Sequence, residues 1–212
     1  MEYKNLEEKI KKCCSCPLRG TCDQVVPGEG NPHAEIMFIG EAPGAEEDKQ
    51  GKPFVGAAGK FLNEMLGLIN LNREDVFIAN VLKCRPPANR DPLPKEVEAC
   101  WPWLLEQINS IKPKVIVTLG RHAMERFLPN QKISQMHGTA LRREIPGVGR
   151  QVFYALYHPA AALYQGSLRE TLKEDFKKIP KVLKAINSEE NVLVVKTENQ
   201  DISRKDLQAK LF

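Results

Sequence analysis

Ile36-Met37-Phe38-Ile39-Gly40-Glu41-Ala42-Pro43-Gly44 is the stretch on which the fold turns. Its four leading apolar residues do not alternate with polar ones, so they read as a short strand buried on both faces, the kind found in parallel sheets covered by helices. Three later runs share that character: Val76–Val81, Val115–Leu119 and Val152–Tyr157. Between them, Gly59–Leu68 places Phe61, Leu62, Met65 and Leu66 at helical spacing, and Pro94–Ile111 does the same with Val97, Leu104, Leu105 and Ile108. This β-α-β alternation predicts a three-layer α/β fold with a central four-stranded parallel sheet flanked by helices. Helices are also expected at about Asn5–Lys12 and Ser167–Ile186, the latter kinked or interrupted by Pro180.

A chain of 212 residues, 42% hydrophobic and 27% charged, suits one globular domain and excludes collagen, coiled coil and wholesale disorder. Residues 1–186 are expected to form that domain. Residues 187–212 are polar and charged apart from Val192–Val195, and read as a mobile tail whose Leu207-Gln208-Ala209-Lys210-Leu211-Phe212 end suits docking to a protein partner. Lys and Arg number 31 against 27 Asp and Glu, a net charge of +4 that permits a nucleic-acid partner without requiring one. There is neither a membrane-length apolar run nor a signal-peptide core at the N-terminus, so a cytoplasmic protein without a membrane partner is expected, and a monomer.

Six cysteines then need an explanation, because a reducing cytosol disfavours disulfides. Cys13, Cys14 and Cys16 crowd the end of the first helix, Cys22 follows, and Cys84 and Cys100 stand far downstream. Only Cys13 and Cys16 form a Cys-x-x-Cys knuckle. One knuckle plus two isolated thiolates fits an iron–sulfur cluster somewhat better than a zinc ribbon, which pairs two knuckles, although spacing alone does not decide. Buried cysteines acting as small hydrophobes are the plainer alternative. Cys14, adjoining Cys13, would point elsewhere.

Ligands of open parallel sheets bind outside the carboxyl ends of the strands. There the chain carries Gly40-Glu41-Ala42-Pro43-Gly44 with Glu46, Glu47 and Asp48, then Gly51-Lys52-Pro53-Phe54-Val55-Gly56. These loops match neither dinucleotide nor P-loop fingerprints. Asn80 follows the second strand and leads into Lys83-Cys84-Arg85-Pro86-Pro87-Ala88-Asn89-Arg90, a proline-rich segment with a basic excess. His158-Pro159-Ala160-Ala161-Ala162-Leu163 follows the fourth and sets an imidazole at the crevice mouth. Each polar residue also has a plainer role, as turn cap, solvated acid or structural histidine.

Taken in order, these loops with Cys13, Cys16, Cys84 and Cys100 resemble the motifs of family-four uracil-DNA glycosylases, the iron–sulfur branch of that superfamily, over about residues 10–185. The resemblance implies a [4Fe-4S] cluster on those four cysteines and excision of uracil from DNA. Ala160 stands where a serine commonly follows His-Pro, Ala57 replaces a frequent basic residue, and Cys14 and Cys22 are additional thiols.

Residue chemistry fits that activity. An extruded base needs a stacking face and edge hydrogen bonds, here Phe54 and the amide of Asn80, with Gly40 and Ala42 letting the backbone approach. Cytosine reverses the donor and acceptor of uracil's edge and leaves buried groups mismatched. Charge developing at uracil O2 calls for a donor, the neutral imidazole of His158. A carboxylate to orient water and face the cationic sugar is Glu41 first and Glu47 second, and the resemblance implies Asn89 as the partner of Glu47. Lys83 and Arg85 are expected to contact DNA, and Ala161 to Leu163 to wedge into the duplex. A non-catalytic iron–sulfur nucleic-acid-binding protein, with a basic surface around Lys83, Arg85 and Arg90, explains the cysteines but leaves Glu41, Asn80 and His158 idle. A small-molecule α/β enzyme explains the carboxylates but not the cluster.

Overall fold

The computed structural model describes residues 3–187. The expected tail and its docking motif therefore lie outside the described residues, apart from Asn187. In chain order the elements are α1 (Tyr3–Lys11), β1 (Glu29–Gly30), β2 (Ile36–Gly40), α2 (Ala45–Gln50), α3 (Ala57–Gly67), β3 (Phe77–Asn80), α4 (Pro94–Ile111), β4 (Val115–Leu119), α5 (Arg121–Phe127), α6 (Ile133–Met136), β5 (Ala140–Ile145), β6 (Gly149–Leu156), α7 (Pro159–Tyr164), α8 (Gly166–Phe176) and α9 (Ile179–Asn187), with short 3₁₀ turns between.

The sheet has six strands in the order β1-β3-β2-β4-β6-β5. The runs expected to be strands are β2, β3, β4 and β6, and they pair in parallel. The expected four-stranded parallel sheet is corrected to a mixed one, because β1 and β5 add antiparallel edges. β5 is illegible in the sequence because its middle is open to solvent and carries Arg142, Arg143 and Glu144, and β1 because it has only two residues.

Alternate strand residues feed two apolar layers. Met37, Ile39, Phe77, Ala79, Ile116 and Phe153 pack with α1, α4 and α5, while Ile36, Phe38, Ile78, Val117 and Tyr154 pack with α3, α8 and α9. Pro180 acts as a break: α8 ends at Phe176 and α9 restarts at Ile179, so the proline lies in the first turn, where its missing N–H costs no hydrogen bond. This layering brings Gly40, Asn80, Gly120 and His158 to one edge of the sheet, at the carboxyl ends of its parallel strands.

Candidate active site and cysteine centre

Gly40 closes β2 where two side chains converge. A Cβ there would lie 2.4 Å from Asn80 Oδ1 and 2.6 Å from Phe54 Cζ, so only glycine lets them meet over the strand end. Asn80, the last residue of β3, is buried, and its Oδ1 has no hydrogen-bond partner. An orphaned buried acceptor is costly unless a ligand satisfies it. Phe54 stands beside it, buried, with φ of 51°, a left-handed backbone unusual for a bulky residue.

Three groups hold that loop. Glu47, in the first turn of α2, accepts hydrogen bonds from the amides of Val55 at 2.8 Å and Gly56 at 2.9 Å through one oxygen. Arg73 donates to the carbonyls of Pro53 at 2.7 Å and Phe54 at 3.1 Å. Glu29 of β1 in turn pairs with Arg73 at 2.7 Å. Glu47 thus has a positioning task, and Arg73 carried no signal in the sequence beyond being a surface cation.

His158 caps α7. Its Nδ1 accepts the Ala160 amide at 3.1 Å, which leaves the proton of a neutral imidazole on Nε2. Burial pushes its pKa down to about 4 against the opposing pull of the Glu47 charge, so the ring is neutral at physiological pH. Its ring stacks against Phe54.

Glu41 is half-buried at the mouth, and burial raises its carboxyl pKa, with His122 pulling it down and Asp91 pushing it up. His122 Nε2 lies 3.9 Å from Glu41 and 3.7 Å from Asp91. Ala42 follows, partly buried.

The basic loop differs from expectation. Lys83 is not a surface contact for DNA: it is fully buried, its Nζ donating to the Asn80 carbonyl at 2.7 Å and to Gln107 Oε1 at 2.5 Å, and burial pushes its pKa down to about 8. Arg85 is half-buried and donates to Asn89 Oδ1 at 2.8 Å. Asn89 is exposed and accepts from Arg85, while Glu47 Oε1 accepts from the Val55 and Gly56 amides. Arg90 is paired with Glu96. Of the loop's cations, Lys83 is thus buried and Arg90 paired, while Arg85 bonds only a neutral amide. On α7, Ala161 and Leu163 are exposed, and Tyr164, which belongs to no motif in the sequence, is 91% exposed.

Cys13, Cys16, Cys84 and Cys100 line one small cleft with Leu18, Val25 and Leu82. Donors point at the sulfurs: Trp103 Nε1 lies 3.1 Å from Cys13 Sγ, and the Lys83 amide lies 3.3 Å from Cys100 Sγ. Burial and the neighbouring thiols push the Cys84 thiol up, and burial raises Cys100 as well. Cys14 is exposed, as expected of a bystander, whereas Cys22 is buried and interacts with Cys84. Among the described residues, Glu41, Asp91 and His122 each bring one ligand atom within 4.8 Å of the others.

The profile of the Uracil DNA glycosylase superfamily matches residues 27–184. The chain is 51% identical to a type-4 uracil-DNA glycosylase of Archaeoglobus fulgidus, over 82% of this chain and 90% of the relative. It is 44% identical to the type-4 enzyme of Thermotoga maritima, over 84% and 93% respectively. A type-5 uracil-DNA glycosylase of Pyrobaculum aerophilum is 31% identical over 74% of this chain and 82% of its own length.

Proposed function

The chain belongs to the type-4 branch of the uracil-DNA glycosylase superfamily, and on that premise we propose how its residues divide the work of excising uracil from DNA. Extruded deoxyuridine lays its base against Phe54 and offers N3–H to Asn80 Oδ1, while the Asn80 amide donates to O4. The bond between sugar C1′ and uracil N1 then breaks, its electron pair leaving with the base. His158 Nε2–H faces the charge that gathers at O2, stabilising the departing uracil anion. Water oriented by Glu41 adds to C1′ and loses a proton, which the departing uracil anion takes up, giving an abasic site and free uracil. Glu47 keeps the Phe54 loop in place; Arg85, Ala161 and Leu163 are assigned to the DNA. Leu163, exposed with Tyr164 beside it, is assigned to fill the gap in the duplex.

The observation that carries this reading is the meeting of a buried, unpartnered Asn80 acceptor with a neutral, Nε2-protonated His158 beside Phe54. The cysteine cleft fits a [4Fe-4S] cluster held by Cys13, Cys16, Cys84 and Cys100, four thiols that line one cleft, two of them met by hydrogen-bond donors. Such a cluster supplies bonds tying the end of α1 to α4 and the loop after β3. Residues 1–186 would act as one monomeric domain. Among the described residues no helix is long and apolar enough to cross a membrane, and the cytoplasm is the proposed location.

Incubation with a single-uracil oligonucleotide followed by alkali, which cuts at abasic sites, tests the activity. Cleavage at uracil and not at cytosine or thymine is expected; an intact strand would overturn the reading.

A further inference from the structure

Arg73 sits in a 3₁₀ turn just before β3, and its guanidinium is shared among several acceptors. Nη2 donates to the Pro53 carbonyl at 2.7 Å and to Glu29 Oε2 at 2.7 Å. Nη1 donates to the Phe54 carbonyl at 3.1 Å and to Asn63 Oδ1 at 3.2 Å, and Nε reaches Glu29 Oε2 at 3.2 Å. Glu29 is itself shared with Lys52, 3.2 Å away. The Arg73–Glu29 pair holds Glu29's carboxyl below the usual range despite burial, which acts to raise it.

The carbonyls held in this way flank a residue in a backbone conformation that a bulky side chain does not choose. A non-glycine residue in the left-handed region persists only where its surroundings over-determine it. Here that conformation aims the Phe54 ring at Gly40, Asn80 and His158. The planar fork of Arg73 satisfies two successive carbonyls and a carboxylate at once, a geometry that a lysine cannot reproduce.

We propose that Arg73, anchored by Glu29, is a positioning residue for base capture: it latches the Pro53–Phe54 backbone so that the Phe54 ring stands ready to receive the extruded uracil. This inference rests on the reading of Phe54 as the stacking face. Without the latch the backbone relaxes, the ring leaves the pocket, and uracil is captured less well although Asn80, His158 and Glu41 are untouched.

The test is a mutant cycle read by single-turnover excision at varied enzyme concentration. Arg73→Gln should raise the half-saturating enzyme concentration and slow excision roughly tenfold, the size of the strain it releases, and Arg73→Lys should recover only part of the loss. Phe54→Ala should be impaired by itself, and adding Arg73→Gln to it should cost no more than about a further twofold, because coupled residues are not additive. Glu29→Gln, which leaves the guanidinium in place, should repeat the pattern and serves where Arg73→Gln melts too low to assay. Full activity in Phe54→Ala would sink the stacking reading itself. An impaired Phe54→Ala whose losses multiply with those of Arg73→Gln or Glu29→Gln would overturn the latch alone.

Discussion

The ring of Phe54 lies against the imidazole of His158, their centroids 5.7 Å apart and their planes inclined by 29°. The group that would hold the base and the group that would take up its charge are thus in contact, yet their energetic roles differ. One acts in the ground state and the transition state alike, the other only where charge develops.

His158→Ala should therefore lower the single-turnover rate by about a hundredfold or more, the effect of removing one oxyanion-type donor, while DNA affinity stays nearly unchanged. Phe54→Ala should weaken capture of the base as well as slow its release. Excision kinetics beside a binding titration at one salt concentration separate the two. Weakened binding with an unchanged rate in His158→Ala would make the histidine a backbone contact.

Acid should reveal the buried imidazole in the stability of the fold. The unfolded chain protonates His158 below its ordinary value of 6.5, whereas burial keeps the folded form neutral down to about 4. Between those values the unfolded state binds more protons, so this contribution is complete above about pH 6.5 and is lost as pH falls through about 4. Thermal melts from pH 7 to 4 should fall less steeply for His158→Gln than for the unsubstituted chain. Equal slopes would place the imidazole in solvent.

Asn80→Asp puts an acceptor where uracil O4 needs a donor, and uracil excision should fall by at least about a hundredfold, with some gain on cytosine, whose amino group suits a carboxylate. Gly40→Ala attacks the same spot by volume. Its Cβ would stand 2.4 Å from Asn80 Oδ1 and 2.6 Å from Phe54 Cζ, so the variant should lose about 1–3 kcal/mol of stability by overpacking and most of its excision. A crystal structure of either variant bound to uracil would show whether the amide is the reader. Unchanged uracil excision in Asn80→Asp would reduce Asn80 to a turn residue.

Anaerobically purified protein should be brown and carry about four irons per chain. Replacing Cys13, Cys16, Cys84 or Cys100 by Ala should abolish the colour and lower the melting temperature, while Cys14→Ala and Cys22→Ala should keep it. Metal analysis giving one zinc and no iron would overturn the assignment.

Strands such as Ile36–Gly40 and Val115–Leu119 were legible because burial on both faces leaves a run with no polar interruption. Edge strands leave no such mark, as the charged residues of Ala140–Ile145 show. At the site, His158 and Asn80 stood out through their place at strand ends. Lys83 misled because a lysine in a basic, proline-rich stretch reads as surface, and only the fold turns it inward onto Gln107. Arg73 left no trace, since its partners are Pro53, Phe54 and Glu29, distant in sequence.

The buried lysine has a consequence for how this enzyme can change by descent. Lys83 grips the carbonyl of Asn80 with its side chain, while its own amide meets Cys100 and its neighbour is Cys84. Asn80, the proposed reader of the base, and Cys84 thus share one short segment. An insertion or deletion between residues 80 and 84 would displace both at once. Lineages descended from this sequence should therefore vary the length of the loop beyond Cys84 freely and the spacing from Asn80 to Cys84 not at all.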